Sequence, residues 1–371
     1  MRNNKAGRKP FKQSKEGKMK FQPDYHNIVD AATNKKPKRI PLYDHIIADE
    51  VMEAVLKADF ASLIKNERKE EYFKQYTRFF LTMGYDTVSF EQCITKILPG
   101  GGALYCHADP AIKSFEDFKN YPWDILADRY FEAFSNDFQT LGKVMPDGMK
   151  AIGGPGNGVF EIVQDLCGYE GLCYIAADDP ALYCGIFEKT ADLMMEIWKR
   201  FLECFSDSYC VCRFGDDLGF RSQTLLSAPD IRKLLIPQYK RLIAQIHAFE
   251  KPFLLHSCGC IFDVMDDLIC EAGIDAKHSN EDAIAPFHVW VERYGRKIGN
   301  FGGIDTDVLC RESLEEIRGY VENVFRENAG KQGGIAFGSG NSIPDYVPKD
   351  GYLTMVNTLR CLRGEEIEEG F

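Results

Sequence analysis

The chain has no apolar stretch long enough to span a bilayer, and its N-terminus lacks the hydrophobic segment of an export signal. Those absences make a cytoplasmic protein with no membrane partner the expectation. Positive charge is in deficit. Lys and Arg number 45 against 56 Asp and Glu, a formal net charge of −11, which argues against general affinity for nucleic acid. No glycine-rich turn precedes a P-loop lysine, and no GxGxxG follows a first strand, so nucleotide use is not indicated. No second Cys/His pair stands at zinc-finger spacing, and no short-period repeat is present.

Disulfide rhythm is missing too. Thirteen cysteines, an odd number, are scattered along a chain with no export signal, so reduced thiols are expected, most of them small core residues. What remains describes a globular protein: 371 residues, 45% hydrophobic and 27% charged. That length is long for one ordinary domain but normal for an α/β barrel with extra helices. Residues 1–20 carry eight Lys or Arg against the single acid Glu16. They read as a disordered basic arm, which leaves 21–371 as one barrel domain.

A repeated unit organises that domain: a short β-type run, a polar or glycine-rich break, then a helical stretch. The runs are Arg39–Asp44, Met83–Ser89, Met149–Gly154, Tyr209–Phe214, Pro252–His256, Ile274–Ser279, Lys297–Gly302 and Gly334–Gly338. Helices are expected over Pro180–Phe205, Ala228–Ala248 and Cys260–Glu271, where apolar residues fall three and four apart. Eight runs alternating with helices suggest a closed (β/α)8 TIM barrel with additional N-terminal helices; an open doubly wound sheet is the competitor.

A barrel places functional side chains just after its strands. The candidates at those positions are Asp44 and His45, Glu91, Asp216 and Asp217, His256 and Cys258, His278, Glu281 and Asp282, Asp305, and Ser339 and Asn341. In PFLLHSCGC (252–260), His256 and Cys258 point to one side of an extended chain and can converge on one ion. The local residues alone slightly favour a histidine hydrogen-bonded at a strand end beside a buried thiol. The carboxylates of GDDLG (215–219) can serve as base, ligand orienter or metal ligand, or simply cap a helix. The glycine turns GGID (302–305) and GSGNS (338–342) allow close backbone approach to a large flat ligand or a phosphate.

RIPLYDH, GDDLG, PFLLHSCG, IDAKHSNED, GNFGGIDTDVL and GSGNSIPDYVP, in that order from Lys20 onwards, resemble the uroporphyrinogen decarboxylase-like superfamily. The resemblance is nearest to its branch of corrinoid-dependent methyltransferases and implies a (β/α)8 barrel with its cleft at the C-terminal mouth. The arginine-rich RQAGR motif of true decarboxylases is absent; that region reads PLYDHIIADE. In the methyltransferase branch, the His and Cys of HxCG and a later Cys bind zinc. His256 and Cys258 match the first two, but Ser339 stands at the third position, so a third ligand has to come from Cys260, Cys212, Asp216 or Glu281, or zinc is absent.

The resemblance thus implies methyl transfer between a small methylated compound and a protein-bound corrinoid or a thiol acceptor. Asp216, His278 and Glu281 are the candidate catalytic residues, and Asp44, His45, Glu91, Asp217, Asp305, Ser339 and Asn341 the candidate substrate contacts. DYHNIV (24–29) lacks the glycine of a corrinoid-binding DxHxxG motif, so a separate corrinoid protein is the expected partner. Two alternatives stand beside this one: a metal-independent decarboxylase or lyase, and a non-catalytic tetrapyrrole or corrinoid binder. The insertion 110–145 can serve as a lid or a subunit contact, which leaves a homodimer open.

Overall fold

A computed structural model describes residues 20–367; most of the basic arm expected at 1–20 lies outside them. Seven parallel strands form one curled sheet in chain order. They are β1 (Thr87–Cys93), β2 (Lys150–Gly156), β3 (Tyr209–Gly215), β4 (Phe253–His256), β5 (Ala276–His278), β6 (Gly299–Ile304) and β7 (Ile335–Ser339). Each pairs with the next, and helices cover the outside, as parallel strands buried on both faces require.

The eighth expected strand is the correction. Arg39–Asp44 makes only one parallel bridge, Leu42 to Phe337. Tyr43 N donates to Phe337 O (2.9 Å) and Phe337 N to Pro41 O (3.0 Å). The ladder goes no further for two reasons. Pro41 has no N–H to extend it backwards, and forwards the Asp44 carboxylate takes the next β7 donor, Ser339 N, at 2.7 Å. On its other side the segment meets β1 through a side chain, Ser89 Oγ donating to His45 O. Seven strands and one hydrogen-bonded segment therefore complete the wall.

Helix Pro180–Phe205 matches its expected bounds. The stretch 228–247 is interrupted by a wide π turn at Ile231–Leu235, just before Pro237, which cannot donate to the preceding turn. The expected helix over Cys260–Glu271 is instead short 3-10, α and π segments between Phe262 and Ala272. Inside the ring, Tyr43, Ile152, Val211, Leu254, Ala276, Phe301 and Ala336 pack with Ile28 and Ala31 of helix His26–Ala32. That helix and its apolar neighbours pack into the barrel interior, and the candidate residues stand at the strand ends.

Candidate functional site

Register builds the centre of the mouth. The last residue of β4, His256, pairs with His278 of β5 and with Gly215 of β3. The His45 ring stacks on His256, centroids 3.7 Å apart and planes 6° apart. His45 and His256 are almost fully buried, and His278 completely so.

The hydrogen bonds settle where the protons sit. His278 Nε2 lies 2.9 Å from the Ser339 carbonyl, which can only accept, so Nε2 carries the hydrogen and Nδ1 is a lone pair. His256 Nδ1, 2.7 Å from His278 Nδ1, must then donate. Its remaining nitrogen, Nε2, is left with a free lone pair. Burial keeps the rings neutral: it pushes His278 down to about 3, and burial with the nearby His278, Arg213 and Lys277 holds His256 well below the usual imidazole range.

The unprotonated Nε2 is in hydrogen-bond contact with Cys258 Sγ at 3.4 Å and lies 3.7 Å from Asp217 Oδ1. Asp217 is held in place by the Cys258 N–H, which donates to Oδ1 at 2.9 Å. The sulfur accepts from Asn341 Nδ2 (3.5 Å) and Ser279 Oγ (3.6 Å), and burial with the Asp217 charge pushes its thiol well up. Gly219 and Gly259 touch backbone to backbone, with Gly259 at φ +82°, and this contact brings the β3 and β4 loops together.

Several expected residues are engaged elsewhere. Asp216 accepts from Phe160 N (2.9 Å) and Glu161 N (2.8 Å) and from the Tyr239 hydroxyl, capping helix Val159–Cys167. Cys212 is buried in the outer layer between sheet and helices, and burial raises its thiol. Cys260 is a third residue that shares no ligand cluster with His256; its N–H donates to Phe220 O. Glu281 is partly buried, which raises its carboxyl, and it too stands outside the two groups that could hold an ion, His45–His256–His278 and Asp217–His256–Cys258. Asp305 caps helix Thr306–Arg311 through Asp307 N and also accepts from Asp282 N, both at 2.8 Å. Asp44 accepts from Ser339 and Tyr85, and burial pushes it up to about 6. Ser339 Oγ donates to Asp44 at 2.5 Å and also contacts the Asn341 carbonyl, while the Ser339 carbonyl holds His278.

Glu91 forms a buried pair with Arg213, Oε2 to Nη2 at 2.6 Å and to Nε at 3.1 Å. Arg213 also donates to Tyr43, His45 O and Ser89. Next to this pair, at the seam between the first segment and β1, lies a cavity of about 290 Å³ walled by Ile46–Asp49 and Ser89–Cys93.

The sequence model of the family described as uroporphyrinogen decarboxylase (URO-D) matches residues 26–362. The chain belongs to the URO-D family. Among solved structures, this URO-D family chain is similar to a methyltransferase from Methanosarcina mazei, with TM-score 0.67 and 13% identity over 91% of this chain and 98% of that one. It also matches a Listeria monocytogenes protein assigned as a vitamin-B12-independent methionine synthase, at TM-score 0.46 and 13% identity, covering 87% and 98%. No curated protein sequence matches. The likeness to the Methanosarcina protein establishes the barrel of this URO-D family member.

Three participants escaped the sequence reading. Arg213 and Lys277 sit inside the β-type runs Tyr209–Phe214 and Ile274–Ser279, and Glu161 follows a glycine-rich turn. Lys277 is buried, with Nζ 3.7 Å from the Trp290 ring centre and donating to the Ser279 carbonyl; burial pushes it down to about 7. Glu161 accepts from Asn157 Nδ2 at 2.8 Å and lies 3.3 Å from Asp217 N. A charged residue within a β-type run was the available signal for the first two.

Proposed function

We propose that this URO-D family chain is a methyltransferase that uses zinc, held by His256 Nε2, Cys258 Sγ and the Asp217 carboxylate. The observation that carries the reading is the fit of that donor set. Tetrahedral zinc with bonds of about 2.0 Å to nitrogen and about 2.3 Å to sulfur places the two ligand atoms about 3.5 Å apart; His256 Nε2 and Cys258 Sγ are 3.4 Å apart. The third ligand in this reading is Asp217, from the β3 loop, in place of Cys260, Cys212, Asp216 or Glu281. Three protein ligands leave a position for substrate, the pattern of a catalytic rather than a structural site.

Bound there, zinc supplies a Lewis acid for the substrate atom that carries or receives the methyl group. The chain's own residues prepare the place. His278 takes the His256 Nδ1 proton into a hydrogen bond and so keeps Nε2 bare. Cys258 N–H orients Asp217, and Asn341 and Ser279 hold the sulfur. The methyl group passes between a small methylated compound and a corrinoid brought by a separate protein that docks at the mouth.

Metal analysis of the purified protein tests this. Near one zinc per chain is expected, with loss in His256→Ala, Cys258→Ser and Asp217→Ala and retention in Cys212→Ala and Cys260→Ser. A wild-type protein that takes up no zinc on addition would overturn the reading. The reaction itself is followed by the visible spectrum of cob(I)alamin with a panel of methyl donors, where conversion to the methylated form is expected with at least one of them.

A further inference from the structure

Cys258 Sγ is a moderated sulfur. It receives two hydrogen bonds, from Asn341 Nδ2 at 3.5 Å and Ser279 Oγ at 3.6 Å, and such bonds draw charge off a thiolate and weaken its donation to a metal. The Ser279 residue is itself fixed from behind, because buried Lys277 donates to its carbonyl. The remaining donors are an imidazole nitrogen, His256 Nε2, and an oxygen donor, Asp217. One hydrogen-bonded sulfur, one nitrogen and one oxygen form a harder set than two or three thiolates, and they leave more positive charge on the ion. A centre of that kind favours oxygen ligands and stabilises negative charge developing on oxygen; a thiolate-rich centre suits a sulfur nucleophile.

We propose that the site handles a methyl group carried on oxygen, so that its substrate is a small methyl ether releasing an alkoxide or phenolate, with Ser279 and Asn341 as the positioning residues that set the sulfur's charge. This rests on the zinc and methyl-transfer reading above. In the reaction the O–CH3 bond breaks with its electron pair remaining on oxygen, which takes up a proton. The methyl carbon bonds to the partner's corrinoid cobalt, whose Co(I) electron pair forms the new bond and leaves Co(III).

Cobalt(II) replacing zinc in the full chain makes both parts visible. Binding of Co2+ should give a near-ultraviolet sulfur-to-cobalt charge-transfer band, absent in Cys258→Ser. 4-Nitrophenol should then perturb the visible cobalt bands at concentrations about tenfold below those needed for 2-mercaptoethanol. Ser279→Ala and Asn341→Leu should each shift the charge-transfer band to longer wavelength, because charge returns to the sulfur, with Ser279→Thr restoring it. Tighter binding of the thiol, or an unmoved band in both variants, overturns the oxygen assignment while leaving the metal site standing. A wild type with no charge-transfer band overturns both.

Discussion

One imidazole nitrogen, His256 Nε2, is the hinge of the site at the scale of the residue, and it is free only because His278 and the Ser339 carbonyl dictate the tautomer. Removing His278 leaves His256 able to turn or to carry its hydrogen on Nε2. His278→Ala should therefore weaken zinc binding by about 10- to 100-fold in a chelator competition, with the fold intact by circular dichroism. An unchanged affinity would show that the pair is not an orienting device. His256 and Cys258 were legible in the chain because alternate residues of an extended strand share a side. The place of Asp217 was not, since it depends on the Gly219–Gly259 backbone contact between two loops some 40 positions apart.

Among the elements, β3 carries the most consequential charge. Arg213 is completely buried on it and is matched by Glu91 from β1, whose side chain is 7% exposed. Neither is stable in that place without the other, because an uncompensated charge taken out of water costs several kcal/mol. Arg213→Met should destabilise the fold by about 3–5 kcal/mol in urea titration, more than any surface ion pair such as Lys74–Glu70. A loss below 1 kcal/mol would mean that Glu91 finds water or another partner. The β-type pattern of residues 209–214 was readable. The pairing of 213 with 91 was not, since it joins two strands whose side chains meet only when the sheet curls.

At the scale of the whole molecule, the wall is completed by a segment that fails to become a strand. Gly338 packs against the Tyr43 carbonyl and Asp44 Oδ1, so Gly338→Ala should push the first segment off β7 and cost about 1–3 kcal/mol, read as a lower unfolding midpoint. Asp44 adds a pH dependence. Its carboxyl is raised from 3.8 to about 6 when folded, so the native state holds the proton more tightly than the unfolded chain. Its contribution is full below about pH 4 and is lost as pH rises through about 6, up to about 3 kcal/mol. Asp44→Asn should flatten that part of the stability profile between pH 4 and pH 7; a parallel profile would place the titration elsewhere. At this scale the alternation of β-type runs with helices made the barrel legible, and Pro41 and Asp44 explain why the count of full strands came out one lower.

Local pattern by itself determined helix Pro180–Phe205, the neighbourhood of seven strands and the end of the barrel at which polar side chains gather, because period and turn chemistry act between near neighbours. Only the tertiary structure decided which of those polar groups share a site. Asp216 became a helix cap, Asp217 turned to the histidine and sulfur, and Arg213 met Glu91, because hydrogen bonds and charge pairs are chosen by distance across the ring, a quantity that no spacing along the chain encodes.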